Sequence, residues 1–140
     1  MVWKTEWVRI GECSLEIDKK YVGIPDGVDE DGFEISVYED DMCSKEVKNI
    51  DFGPIKPGEE IDIWYWIKNT GEVKLPKVCI GMGIIDENGW QTIDDNFIGG
   101  EMEIGEKKMV PFTLKVEQEA APGKYAGSIP ITVYGPDHLI

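Results

Sequence analysis

The sequence is almost without histidine, because its single imidazole is that of His138, close to the end of the chain. Ser-His-Asp and Cys-His mechanisms need a histidine held beside a nucleophile, and a blue-copper site needs two histidines. Neither chemistry is predicted. Carboxylate pairs of the glycosidase kind carry no signal among 28 acidic residues, so we expect a protein that is not an enzyme.

Basic residues are also scarce, with 13 lysines and one arginine against 28 aspartates and glutamates. The formal net charge of −14 repels nucleic-acid phosphates and anionic membrane surfaces. We therefore expect no nucleic-acid partner. The excess of lysine over arginine, together with abundant glutamate, is a compositional tendency of thermophilic proteins.

Long hydrophobic runs are missing as well. The apolar run at residues 78–85, VCIGMGII, falls well short of the roughly 20 residues of a membrane-spanning helix. Charges at Lys4, Glu6 and Arg9 interrupt the apolar stretch that a signal peptide needs. We expect no membrane insertion and no signal peptide in this chain, which leaves a cytoplasmic, a virion-borne and an already processed protein as alternatives.

Cysteine is limited to Cys13, Cys43 and Cys79, and no two of these have C-x-x-C spacing. This pattern indicates neither a disulfide framework nor a zinc site. Cys79 lies in an apolar run and is predicted to be a small core residue. Cys13 and Cys43 lie near the ends of predicted strands and are the first pair to test for a disulfide bond.

What the sequence has in abundance is the signature of short strands. Sixteen glycines and eight prolines separate β-branched and aromatic runs of period two, and no long helix is predicted. Turns are predicted at residues 56–59 (KPGE), 68–72 (KNTGE) and 86–90 (DENGW). Pro130 has no N–H for a sheet ladder and predicts an edge or a bulge in the last strand. The predicted strands are 6–10, 13–18, 33–38, 60–68, 77–85, 90–93, 109–117 and 124–134.

Eight short strands in a chain of this length indicate one all-β domain of two packed sheets. A polar stretch at residues 19–32, KKYVGIPDGVDEDG, separates an N-terminal piece from the main body. We expect residues 1–32 to form strands and an acidic loop that pack on a β-sandwich of residues 33–135, followed by a tail at 136–140.

The acidic loop is the best candidate for a metal site. Asp26, Asp29 and Asp31 place three hard oxygen ligands close together, and Gly32 permits a sharp turn. Calcium prefers six to eight such oxygens. The D-x-D-x-D-G pattern of an EF-hand is broken at Gly27, so a solvated acidic loop is the alternative to a calcium site.

Tryptophan is plentiful, and four of the five tryptophans fall in two pairs, Trp3 with Trp7 and Trp64 with Trp66. In the strand around residues 60–68, the apolar residues Ile61, Ile63, Tyr65 and Ile67 occupy one face, and Trp64 and Trp66 the other. Residues two apart on a strand lie roughly 7 Å from each other on one face. This surface is predicted either to bind a partner or a glycan, or to be covered by the N-terminal segment or by another subunit.

Several short motifs carry a resemblance to a known family: IDFG at residues 50–53, PG at 57–58, KNTG at 68–71, GE at 105–106 and PGKYAG at 122–127. In this order they resemble the immunoglobulin-like β-sandwich domains common in archaeal surface and secreted proteins. They are also similar to accessory domains of glycosidases and, more distantly, to camelysin and biofilm-fibre proteins. The resemblance implies an antiparallel immunoglobulin-like sandwich of about seven to eight strands with an N-terminal extension.

Two residues refine that expectation. The spacing from Ala121 to Tyr125 suits a tyrosine corner, in which the tyrosine hydroxyl bonds back to the backbone. Gly127 stands where an antibody domain has a cysteine, so the inter-sheet disulfide of antibody domains is not expected.

The resemblance implies a structural or adhesive module that acts through protein contacts at a cell surface or in an archaeal virus. Its partner would be a second copy of itself or another surface or virion protein. The alternative is a carbohydrate-binding module that uses Trp64, Trp66 and Trp90. In either case no cofactor is expected, apart from calcium at the acidic loop.

Overall fold

The structure is a computed structural model that describes residues 11–23, 32 and 34–135, with the backbone alone for residues 94–98. Its described regular structure is all β, as predicted. The predicted strand at 6–10, Trp3, Trp7, the three aspartates of the acidic loop and the tail lie outside the described residues. The strands are β1 (Gly11–Val22), β2 (Ile35–Tyr38), β3 (Asn49–Ile55), β4 (Glu60–Asn69), β5 (Leu75–Asp86), β6 (Gly89–Met102), β7 (Lys107–Val116) and β8 (Gly123–Tyr134).

The strands form one curled mixed sheet in the order β2-β4-β7-β5-β8-β1-β3, with β6 paired to β5. The β1–β8 and β5–β7 ladders are parallel, and the other ladders are antiparallel. The expectation of a purely antiparallel arrangement is therefore wrong. Parallel neighbours need a long connection, and the strands of these two pairs are separated by other strands along the chain.

The sheet divides at β5 into two arms, a first arm of β2, β4 and β7 and a second arm of β8, β1 and β3. Residues Lys77 to Ile80 of β5 pair with β8, whereas Met82 to Ile85 pair with β7. β5 changes its partner from β8 to β7 at Gly81. A Cβ atom there would lie 2.7 Å from the Ile93 carbonyl oxygen and would collide with the Pro130 ring, so the position requires glycine. The β5–β8 ladder stops before Pro130, which is opposite Asp18 of β1 on its other side, so on the β5 side the strand has an edge at the proline, one of the two predicted alternatives.

A single hydrophobic core lies between the two arms. The first arm contributes Ile35, Val37, Ile67, Val110, Phe112 and Leu114, and the second contributes Leu15, Ile50, Phe52, Ile129, Ile131 and Val133. The predicted inward face of β4 is confirmed, because Ile67 is fully buried and Ile61, Ile63 and Tyr65 pack against this core. Both Cys13 and Cys79 are buried, as predicted for Cys79, and none of the three cysteines forms a disulfide bond.

The N-terminal strand is used differently from the expected division at residue 32. β1 lies inside the second arm, with β3 on one side and β8 on the other, and its Cys13 and Leu15 belong to the core. β1 is thus an interior strand of the same sheet. The alternative in which the N-terminal segment covers the tryptophans of β4 does not hold for residues 11–18, which lie between β3 and β8 in the second arm.

Turn chemistry decides several connections. Asp86 pairs with Gly89 to close the predicted β5–β6 hairpin, where Gly89 has φ 100°, and Gly58 has φ 78° in the predicted KPGE turn. The KNTGE segment also turns the chain, but it does not join neighbouring strands, because β7 lies between β4 and β5.

Asn69 explains why that segment contains an asparagine. Its side chain is 1% exposed; the Nδ2 group donates to the carbonyls of Val73 (2.9 Å) and Met102 (3.1 Å), and Oδ1 accepts from the N–H of Gly71 (3.0 Å). One amide therefore ties the end of β4 to the following turn and to the end of β6.

Two elements differ most from their predicted extent. β3 is not among the strands predicted from alternation; it is an edge strand in which Gly53 has φ 68° beside a register shift. β6 extends far beyond the predicted 90–93, because β5 pairs with it along most of its length, with irregularities.

Candidate binding face

The outer face of the first arm carries the tryptophans of β4. Trp64 is 53% exposed and Trp66 is half-buried, whereas the residues between and beside them point into the core. The sequence-based placement of both indoles on the outward face is therefore confirmed.

The neighbouring strands extend this outer face. In the β4–β7 ladder, Trp64 is opposite Pro111 and Trp66 is opposite Met109, which is 50% exposed. In the β2–β4 ladder, Trp66 is opposite Tyr38. Directly opposed residues share a face of the sheet, so we define the tryptophan face as Tyr38, Trp64, Trp66, Met109 and Pro111.

The two indoles are not equally available. The ammonium of Lys107 lies 5.2 Å from the centroid of the Trp66 ring, in a cation–π contact. The same ammonium donates a hydrogen bond to the carbonyl oxygen of Asp41, which fixes it over the ring. Trp64 is thus the more open aromatic surface, and Trp66 presents a ring with a cation beside it.

Charged residues lie at the two ends of the tryptophan face. At one end Lys68 is opposite Lys107, and at the other Glu60 is opposite Lys115. Asp62, next to Trp64 on this side of β4, accepts a hydrogen bond of 2.7 Å from the hydroxyl of Thr113. One end is therefore basic and the other predominantly acidic.

Trp90, a third candidate for glycan binding, has a different role. It is half-buried and packs against the core. A Cβ atom at Gly83 would collide with the Trp90 ring, and one at Gly127 would lie 2.6 Å from its Nε1 atom. The two glycines thus leave the slot that the indole occupies, so Trp90 does not belong to the tryptophan face.

The predicted tyrosine corner is present beside this slot. The hydroxyl of Tyr125 donates a hydrogen bond to the carbonyl oxygen of Ala121. Gly127, two residues later, makes room for the Trp90 indole. At the position of the missing cysteine, the chain therefore uses a glycine–tryptophan contact.

A second, smaller feature lies on the outer side of the second arm. An open cavity of about 270 Å³ is lined by Glu12, Ser14, Asp51, Lys124, Tyr125 and Ala126. Cys13 lies between Glu12 and Ser14 in the chain, but its side chain belongs to the core; burial, and secondarily the Asp51 carboxylate, raises the pKa of its thiol from 9.0 to about 11. Such a thiol stays protonated at neutral pH and is a poor nucleophile, which gives this cavity no evident cysteine chemistry.

Metal and membrane features are absent from the part of the chain that the structure describes. No three histidine, cysteine or carboxylate side chains are grouped there so as to hold a metal ion, and no helix there has the length and apolarity to cross a bilayer. The calcium candidates Asp26, Asp29 and Asp31, like Trp3 and Trp7, lie outside those residues.

Sequence reasoning missed three of the five residues of the tryptophan face, Tyr38, Met109 and Pro111. Lys107, Met109 and Pro111 alternate with the buried Val110 and Phe112, so period two does mark them as outward. What the alternation does not reveal is that β7 lies beside β4 and not beside another strand.

Comparison with known proteins adds no further constraint. No protein-family model, no curated protein and no solved structure matches this chain. Any function must therefore be argued from the chain's own residues.

Proposed function

We propose that this protein is a non-catalytic structural or adhesive module, an immunoglobulin-like β-sandwich in which the two arms are the two sheets. It acts through protein–protein contacts, as a component of a cell surface or of a virus, and its partner is a second copy of itself. The single observation that carries the proposal is the exposure of Trp64 and Met109 together on the tryptophan face, at 53% and 50%.

Large apolar side chains exposed side by side are a common mark of an interaction surface. Ile104, which is 60% exposed in the β6–β7 turn, is not part of the tryptophan face. The two arms and the tyrosine corner at Tyr125 support the immunoglobulin-like part of the proposal.

The magnitude of the contact indicates weak association. The half-exposed Trp64 and Met109 offer roughly 200 Å² per chain, and burying them in two chains stabilises a dimer by about 10 kcal/mol. Association itself costs about 4–15 kcal/mol. With an association cost of about 4–6 kcal/mol, about 4–6 kcal/mol remains, so we expect a dimer with a dissociation constant between about 40 μM and 1 mM, which dissociates on dilution.

Association by adding a partner's strand to the edge of the first arm is less suitable. The outer edge of β2 is already paired with the chain that follows it, since the N–H of Val47 donates to the Val37 carbonyl and the N–H of Glu39 donates to the Lys45 carbonyl. A partner meets the first arm through its outer face and not through this edge.

The test is the native mass measured by sedimentation or light scattering over a wide concentration range. The wild-type mass should rise from 15.8 kDa toward twice that value. Trp64→Thr and Met109→Thr, which retain β-propensity, should keep the protein monomeric, and the matched control Ile104→Thr should not. A wild-type protein that stays monomeric at millimolar concentration, or a dimer indifferent to Trp64→Thr, would refute the proposal.

A second candidate function is glycan binding at Trp64, because the exposed indole lies beside the Asp62 carboxylate. An aromatic plane next to a hydrogen-bond acceptor suits a sugar ring and its hydroxyls. Titration with soluble oligosaccharides should then change tryptophan fluorescence in the wild type and not in Trp64→Thr. The Lys107 ammonium over Trp66 leaves one open ring, and for this reason we rank protein contact first.

A further inference from the structure

We propose that two copies of the tryptophan face meet with their β4 strands antiparallel, about a two-fold axis that lies between the sheets, perpendicular to the strands and level with Tyr65. Trp64 of each copy then lies opposite the Trp66–Lys107 pair of the other, and Asp62 opposite Lys68. This arrangement rests on the proposed self-association and specifies how it is achieved.

The first step of the argument is the unequal charge of the two ends. The basic end has Lys68 and Lys107, which are register partners. The acidic residues beside it include Asp41, whose carbonyl accepts a hydrogen bond from Lys107, Glu46, the bridge partner of Tyr38, and Glu106, which precedes Lys107. The opposed positions of β4 and β7 at this end are thus both lysines, in a chain whose net charge is −14.

The acidic end has the opposite balance. Glu60, Asp62 and Glu117 lie there beside Lys115, whose ammonium is 3.5 Å from a Glu117 carboxylate oxygen. Lys115 is therefore already paired within its own chain, and Asp62 carries an exposed carboxylate. This end can accept cations from a second molecule.

The second step is symmetry. Two identical faces in contact are related by a two-fold axis in the plane between them. An axis parallel to the strands would place the basic ends of both copies together and the acidic ends together. An axis perpendicular to the strands places each basic end over an acidic end, so charge complementarity selects this second orientation.

The third step is position along the strand. Asp62 and Lys68 are separated by roughly 20 Å along β4, and their midpoint is level with Tyr65. An axis at that level maps residue 62 onto 68 and residue 64 onto 66, so the charged contacts and the aromatic contact form together. Facing sheets twist by about 30° relative to each other, which long lysine side chains accommodate.

Charge reversal tests the orientation. Lys68→Glu with Lys107→Glu should weaken dimerisation at least about tenfold, because each contact occurs twice and becomes repulsive. A control with the same net charge, Lys20→Glu with Lys124→Glu on exposed positions of the second arm, should weaken it far less. Adding Glu60→Lys and Asp62→Lys to the Lys68→Glu, Lys107→Glu variant exchanges the charges of the two ends of the tryptophan face and should restore the dimer.

Cross-linking gives an independent readout that does not depend on charge. Asp62→Cys and Lys68→Cys are prepared separately in a Cys43→Ser background, where the two remaining cysteines are buried. The proposal predicts a covalent dimer when the two variants are mixed with a bis-maleimide cross-linker that spans about 10 Å, the separation of packed sheets, and little when either variant is treated alone. Circular dichroism verifies that each variant is folded.

The outcomes separate this inference from the proposed function. A wild-type dimer that Trp64→Thr dissociates, but whose cross-links form within each single-cysteine variant, overturns the antiparallel orientation and leaves self-association standing. The antiparallel orientation is also overturned if Lys68→Glu with Lys107→Glu weakens the dimer no more than Lys20→Glu with Lys124→Glu does. A wild-type protein that stays monomeric refutes the proposed function itself.

Discussion

Replacing Asn69 by alanine should destabilise the protein by about 3 kcal/mol, because it removes three side-chain hydrogen bonds worth about 0.5–1.5 kcal/mol each. The bond to the Met102 carbonyl is fully buried, whereas those to Val73 and Gly71 are partly buried and open to water. The largest share of the loss therefore comes from Met102. For a chain of this size, the melting temperature should fall by about 10 °C.

The assay is urea unfolding followed by circular dichroism and tryptophan fluorescence. Asn49→Ala, at an exposed position of β3, is the matched control and should change stability by less than about 0.5 kcal/mol. Asn69→Asp, which keeps the acceptor for Gly71 but loses both donors, should be at least as destabilised as the alanine variant at neutral pH. If Asn69→Ala unfolds within about 0.5 kcal/mol of the wild type, the amide is not the structural tie that its hydrogen bonds indicate.

Two further predictions concern the interior. Gly127→Ala should destabilise the protein by about 1–3 kcal/mol through overpacking against the Trp90 indole. In a double-mutant cycle measured by urea unfolding, Trp90→Phe should cost less stability in the Gly127→Ala background than in the wild type. Additive effects of the two changes would contradict the contact between Gly127 and the indole. At pH 8, alkylation of the native protein should modify Cys43 well before Cys13. The raised pKa keeps the folded Cys13 thiol neutral up to about pH 11, whereas the unfolded thiol ionises near 9.0. The stability of the folded protein should therefore fall as the pH rises from 9.0 to about 11. Thermal melting of Cys13→Ala from pH 8 to 11 should show a shallower fall.

Local patterns predicted much of the fold because local chemistry determines them. Alternation placed Ile67 inside and Trp64 outside, glycine at positive φ marked the turns at Gly58 and Gly89, and spacing alone predicted the Tyr125 hydrogen bond. Each of these features depends on residues within a few positions of one another. Period-two burial and turn geometry are properties of short segments.

The sequence-based predictions were wrong or incomplete where the structure of a segment depends on the strand beside it. β3 contains Gly53 and Pro54, which interrupt an apolar run, yet pairing with β1 makes it a strand. Trp90 reads as a surface aromatic next to a turn, but Gly83 and Gly127, far apart in the sequence, leave the slot it occupies. Neither relation can be read from a single segment.

The sequence by itself determined that this protein is all β, that Trp64 and Trp66 point away from the core, and that its surface is strongly acidic. Only the tertiary structure decided that β7 lies beside β4, so that Met109 and Pro111 complete the tryptophan face and Lys107 covers one of its rings. The physical reason is that alternation fixes which side of a strand is buried, whereas the choice of neighbour depends on closing one core between two arms from strands distant in the chain.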